Sequence, residues 1–220
     1  MTQAGSATKP TYDPRVFDVT TISDAMRIIL TPEDSTTEHR WMTETPFLAD
    51  LISRSCTLNQ KSLVLDYGCG IGRLAKELIA RHGCSVVGVD ISANMRAMAV
   101  SYVGSDRFFA CAPTMLDQLL GRRIGFDLAL AVWVLQHCAE VREDIARIAR
   151  ALAPKGDLFV VNQIARAVPT VEAGWSDDGV DILPLLRDRL RQGPHGVLPA
   201  EHTTANVSRH AYWSVFRRWR

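Results

Sequence analysis

The stretch that most constrains this chain is residues 62–79, SLVLDYGCGIGRLAKELI. It reads as an apolar strand (Leu63, Val64, Leu65), an acid (Asp66), a glycine loop (Gly68, Gly70, Gly72) and an amphipathic helix. A strand that runs through glycines into a helix builds a ligand crevice. Glycine lets the backbone approach a bound molecule and take dihedrals closed to other residues. The start of the helix adds unpaired N–H groups and a partial positive charge.

The remaining segments predict what surrounds that crevice. The runs CSVVGV (84–89), RFFAC (107–111), FDLALAV (126–132) and DLFVVN (157–162) read as strands. Helices are expected over 93–103, 115–120 and 140–152, the last with Val141, Ile145, Ile148, Ala149 and Leu152 on one face. Strands alternating with helices predict an α/β fold with a mostly parallel sheet covered on both faces, and continuous apolar strands agree with that. HAYWSVFRR (210–218) has a strand's composition and is expected to close the sheet as a charged edge. Residues 20–30 and 37–56 read as helices ahead of the first strand, hence as a cap, with Pro46 as a first-turn proline behind Thr45. A short helix is expected over 183–192, and irregular chain over 195–207. The organisation expected for the 220 residues is a disordered tail (1–15), a helical cap (16–58) and a core (59–220). An insert in that core is expected at about 164–207.

Composition narrows the class. A net charge of +1 gives no field that would gather nucleic acid or an acidic membrane. Cys56, Cys69, Cys84, Cys111 and Cys138 are odd in number and without a C-x-x-C pair, against a disulfide framework and a zinc site. No metal is expected, and a reducing compartment, the cytoplasm, is the expected location. No apolar run approaches a membrane span, and the N-terminus lacks a secretory h-region.

Two features select the ligand. The loop is G-x-G-x-G, with Arg73 where a dinucleotide site needs its third glycine. The acid just before it disfavours a pyrophosphate and suits an ammonium or sulfonium group. Asp90 ends the next strand, where a carboxylate accepts hydrogen bonds from two ribose hydroxyls. The ligand therefore carries a ribose and need not carry phosphates.

LDYGCGIGR, VGVDIS, FDLALAVWVLQH and LAPKGDLFVV, in that order, resemble the successive motifs of class I S-adenosylmethionine-dependent methyltransferases. The resemblance covers residues 61–162, about half the chain. It implies a Rossmann-like seven-stranded sheet with a reversed last strand, and S-adenosylmethionine as methyl donor. Carried over by residue, Asp66, Gly68, Gly70 and Gly72 hold the methionine part of the cofactor. Asp90 takes the ribose, Ile91 packs on adenine, Cys111 and Ala112 clasp the adenine edge, and Ala131 lies beside the cofactor. The family's usual acid at that edge is lacking, so adenine contact falls to the backbone. Arg73 is expected at the cofactor's carboxylate or on an anionic substrate, with pairing to Glu77 as the alternative, and Trp41 is expected as a pocket wall. Trp133, Gln136 and His137 are expected at the acceptor, with His137 as the candidate general base; Trp175 and Tyr212 are further pocket candidates.

The implied reaction is methyl transfer to oxygen or nitrogen of a small molecule, such as a sugar or natural-product precursor. The chain is expected to act as a monomer or homodimer without nucleic acid or membrane. A protein or nucleic-acid methyltransferase and an inactive S-adenosylmethionine-binding subunit are the alternatives.

Overall fold

The computed structural model describes residues 10–219. One seven-stranded sheet carries the fold. Its strands are β1 (Leu63–Tyr67), β2 (Ser85–Val89), β3 (Phe108–Cys111), β4 (Phe126–Val132), β5 (Leu152–Gln163), β8 (Leu190–Val197) and β9 (Ala211–Arg218), in the order β3-β2-β1-β4-β5-β9-β8. The strands β1 to β5 pair in parallel, β9 runs antiparallel to β5, and β8 runs antiparallel to β9. A small hairpin, β6 (Val168–Thr170) and β7 (Gly174–Ser176), stands apart from the sheet.

The period-two alternation of strand side chains divides the core into two layers. Leu65, Ala129, Ala131, Leu158 and Val160 face one side, against α5 (Pro113–Gly121), α6 (Val141–Ala151) and α7 (Ile182–Arg189). Val64, Leu128, Leu130, Phe159 and Val161 face the other. There they meet α2 (Thr37–Ser55), α3 (Arg73–His82), α4 (Ala93–Val103) and α8 (Ala205–His210). Between β1 and β4 the winding of the sheet reverses, and a crevice opens past the carboxyl ends of those strands.

Several expectations are corrected. The last strand does not form the edge: β8 covers it. The residues Gly193, Pro194 and Gly196 disguise β8, and a register shift between Gln192 and His195 absorbs them. The expected irregular stretch also contains α8, capped by the side chain of Thr204. The strand expected from Asp157 begins earlier, since β5 starts at Leu152. Pro46 lies inside α2, which begins at Thr37 with Thr36 as its cap. Its missing N–H leaves the carbonyl of Met42 without its helical donor.

The disordered tail is corrected over residues 10–15, while residues 1–9 lie outside the described residues. Tyr12 bridges to Thr170, Asp13 N–H donates to the Pro169 carbonyl (2.9 Å), and Val171 N–H donates to the Thr11 carbonyl (2.9 Å). A 3-10 turn follows at Pro14–Phe17, capped by Asp13. The short helix α1 (Ile22–Ile29), capped by Thr21, completes the N-terminal cap. Among the described residues no helix is long and apolar enough to cross a membrane.

Candidate active site

A cavity of about 250 Å³ fills the crevice. Gly68, Gly70, Asp90 and Ile91 line it together with Val132, Trp133, Val134 and His137. Tyr12, Phe17, Ile28 and Ile29 from the N-terminal segments close it from above.

The glycine loop is shaped by close contacts as well as by dihedrals. Gly68 has φ +75°, and a Cβ there would lie 2.3 Å from Cγ2 of Val134. Gly70 has φ +53°, and a Cβ there would lie 2.6 Å from Cδ1 of Ile29. The first glycine thus admits the loop after β4, and the second admits the end of α1. The carboxylate of Asp90 fastens the loop, with Oδ2 accepting from Gly70 N–H and Oδ1 from Ser92 N–H, both at 2.9 Å. Each oxygen keeps lone-pair capacity for a hydroxyl donor. Burial raises the Asp90 pKa, against the lowering effect of those two N–H bonds and of Arg96. The Arg96 guanidinium holds the turn by donating to the Asp90 carbonyl (2.7 Å) and the Ile91 carbonyl (3.0 Å).

Also lining the cavity, the side chain of His137 is fixed at both nitrogens. Nδ1 donates to the Ala167 carbonyl at 2.6 Å. Gln136 Oε1 accepts from Gln163 N–H (3.0 Å), which turns its amide nitrogen to His137 Nε2 at 3.3 Å. A carbonyl only accepts and this amide nitrogen only donates, so the imidazole is neutral, with its proton on Nδ1. Burial pushes its pKa below the ordinary value, Arg166 nearby adds to this, and the Ala167 bond opposes it. Phe17 and Trp175 pack against the ring, at centroid distances of 5.9 and 5.2 Å. Deeper in the cavity, Tyr67 donates its hydroxyl to Asp144, and Arg147 donates to both (3.1 and 2.8 Å).

The structure brings Gly68, Gly70, Asp90, Ile91, Trp133 and His137 together on the cavity wall. Several other expected residues stand off it. The side chain of Arg73 is 4% exposed and pairs with Glu44 (3.4 Å) and Thr45 (3.2 Å), not with Glu77. Trp41 packs edge-on against Tyr102, donates to its hydroxyl (3.2 Å), and carries the Arg73 guanidinium over its ring. Gly72 caps α3 in a left-handed conformation, packed under Val103. Cys111 supports Asp90 from behind through its carbonyl (3.2 Å), and Ala112 caps α5 while the neighbouring Pro113 reaches the wall. Ala131 is fully buried beneath the wall, where its small side chain packs in the sheet layer. Gln136 is buried and acts through His137 and Gln163. Of the two further candidates, Trp175 touches His137, and Tyr212 packs against the core away from the cavity.

Asp66 is 4% exposed and also sits behind the wall. Burial raises its pKa to about 7, Arg73 opposes that rise, and Asp90 adds to it. Between the unfolded value near 3.9 and that folded value, the native state holds a proton that the unfolded state has lost. Stability contributed by this site is therefore present at acid pH and lost as pH rises toward 7. Asp66→Asn mimics the neutral form, so its Tm relative to the parent should rise between pH 5 and pH 8 in thermal melts. A constant difference across that range would contradict the buried-charge account.

Sequence reading missed Tyr12, Phe17, Ile28 and Ile29. The signal was present only in the amphipathic pattern of residues 20–30, which says that one side is buried but not against what.

A methyltransferase domain family matches residues 38–212. The chain is similar to the ubiquinone biosynthesis O-methyltransferase of Rhodopseudomonas palustris (strain BisA53), 32% identical over 127 residues. That match covers 54% of this chain and 49% of the relative, so the chain spans about half the length of the curated relative it matches. The fold is similar to that of the N-methyltransferase NodS from Bradyrhizobium japonicum WM9, solved with S-adenosyl-L-homocysteine. Here the TM-score is 0.65 at 16% identity, covering 96% of this chain and all of that one (100%). The geranyl diphosphate C-methyltransferase of Streptomyces coelicolor A3(2) aligns with a TM-score of 0.61 at 13% identity, over 79% of this chain and 76% of that one.

Proposed function

The chain belongs to the methyltransferase domain family, and on that premise we propose that it transfers the methyl group of S-adenosylmethionine to an oxygen or nitrogen of a small-molecule acceptor. The observation that carries this reading is the pairing of Asp90 with Gly70 across one cavity wall. That carboxylate has acceptor capacity for ribose hydroxyls, and Gly68 and Gly70 let Val134 and Ile29 close in against the loop beside it. Ile91, Met95 and Val132 add apolar wall suited to an adenine ring. These residues fit an adenosyl group.

The bound cofactor supplies a methyl group already activated by its sulfonium. What the chain adds is alignment and the exclusion of water. Phe17, Ile28 and Ile29 roof the cavity, and Gly68 and Asp90 hold the donor side. On the acceptor side, the Nε2 lone pair of neutral His137 accepts the proton of an acceptor hydroxyl or amine in place of the long Gln136 contact. With its pKa lowered, His137 is in the base form at neutral pH.

A cavity of this size supports a small acceptor over a nucleic acid or a protein surface. The hairpin of β6 and β7, which sets Trp175 beside His137, supports residues 164–207 as the acceptor insert. The named relative, an O-methyltransferase, favours oxygen as the methylated atom. A sugar or natural-product precursor, in the cytoplasm, with the enzyme as a monomer or homodimer, completes the reading; five free cysteines support the reducing compartment. Calorimetry with S-adenosylmethionine and S-adenosylhomocysteine tests the premise. Both should bind the folded protein, and binding of neither overturns it.

A further inference from the structure

Behind the Trp133 wall lies a buried charge cluster that the reaction as described does not use. Glu44, on α2, is fully buried (0% exposed). Its Oε2 accepts from Arg40 Nη2 at 2.8 Å, and its Oε1 accepts from Arg73 at 3.4 Å. Oε1 also accepts the indole N–H of Trp133 at 2.7 Å, across 89 positions of sequence. Arg40 is itself anchored through the Thr31 carbonyl (2.7 Å), and Arg73 through the Thr45 hydroxyl (3.2 Å). One carboxylate thus gathers two guanidiniums and an indole, and its partners hold it from two further sides.

Trp133 needs such a hold. It follows β4 directly and has φ +58°, a left-handed conformation unfavourable for a bulky side chain. Its N–H donates to the Val161 carbonyl (2.9 Å), which fixes the backbone but leaves the ring to be set by other contacts. The ring lies on the cavity wall together with Gly68 and Asp90.

We propose that Glu44 is a positioning residue for the active site: held by Arg40 and Arg73, it grips the indole N–H of Trp133 from outside the cavity and sets the plane of that wall. Because the N–H is taken, Trp133 presents its ring, not a donor, to whatever the cavity holds. This inference rests on the methyltransferase reading.

S-adenosylhomocysteine is the probe, with Glu44→Gln, Trp133→Phe and the double variant. Each single variant should weaken its binding roughly tenfold, the scale of one charge-assisted hydrogen bond. The double variant should bind no worse than Trp133→Phe alone. In Glu44→Gln the Trp133 indole N–H resonance, identified by its absence in Trp133→Phe, should move upfield. Additive losses in the double variant, or an unmoved resonance, overturn the positioning role. If Glu44→Gln does not fold, Trp133→Phe decides alone, since it leaves every ion pair intact: unchanged affinity overturns the proposal. Absence of binding by the parent protein refutes the methyltransferase reading instead, while the resonance still reports on the Glu44 grip.

Discussion

Asp90→Ala should weaken S-adenosylhomocysteine binding by roughly 10²-fold, about 3 kcal/mol, because two hydroxyl contacts to a carboxylate are lost together. The loss has a second source in the protein itself. The same carboxylate ties Gly70 N–H to Ser92 N–H, so its removal frees the loop that shapes the donor side. Asp90→Asn separates the two contributions. Its amide oxygen still accepts one bond, and binding should fall between the parent and the alanine variant in titration calorimetry. An Asp90→Ala protein that folds normally and binds as tightly as the parent would refute the ribose assignment.

The other large effect is on stability. Glu44→Ala should destabilise the fold by about 3–5 kcal/mol, as breaking a buried ion pair does when its partners remain. Here those partners are Arg40 and Arg73, 3% and 4% exposed, which would be left facing each other with no carboxylate between them. Arg40 Nε is already buried without a partner, so the cluster has little capacity to rearrange. Chemical denaturation of Glu44→Ala measures this directly. Replacing all three by apolar residues should be much milder, because no unpaired charge then remains buried. A Glu44→Ala loss within experimental error would mean that water reaches the site.

The central strands were legible in the sequence because most of their residues are buried. β1, β2 and β4 stand out as continuous apolar runs because both faces of a central parallel strand are covered. The glycine loop and Asp90 were legible for a different reason: their chemistry depends on residue type at fixed spacing within one strand-loop-helix unit. β8 was not legible, since Gly193, Pro194 and Gly196 deny it an apolar pattern and its pairing with β9 is set by the tertiary fold. Arg73 shows the same limit at a single residue. Its place after the loop suggested a ligand, whereas its partner Glu44 lies 29 positions away on another helix. Ion pairs of that kind leave no periodic trace. The roof residues were hidden likewise, because α1 meets the glycine loop through Ile29 only once the sheet exists to carry both.

The bridge between Tyr12 and Thr170 has a kinetic meaning. Those residues are 158 positions apart, so joining them closes a loop that spans most of the sheet. The entropy of that closure is small only when the intervening chain is already compact. The bridge is therefore expected to form only once β1 to β5 are in place and the intervening chain is compact.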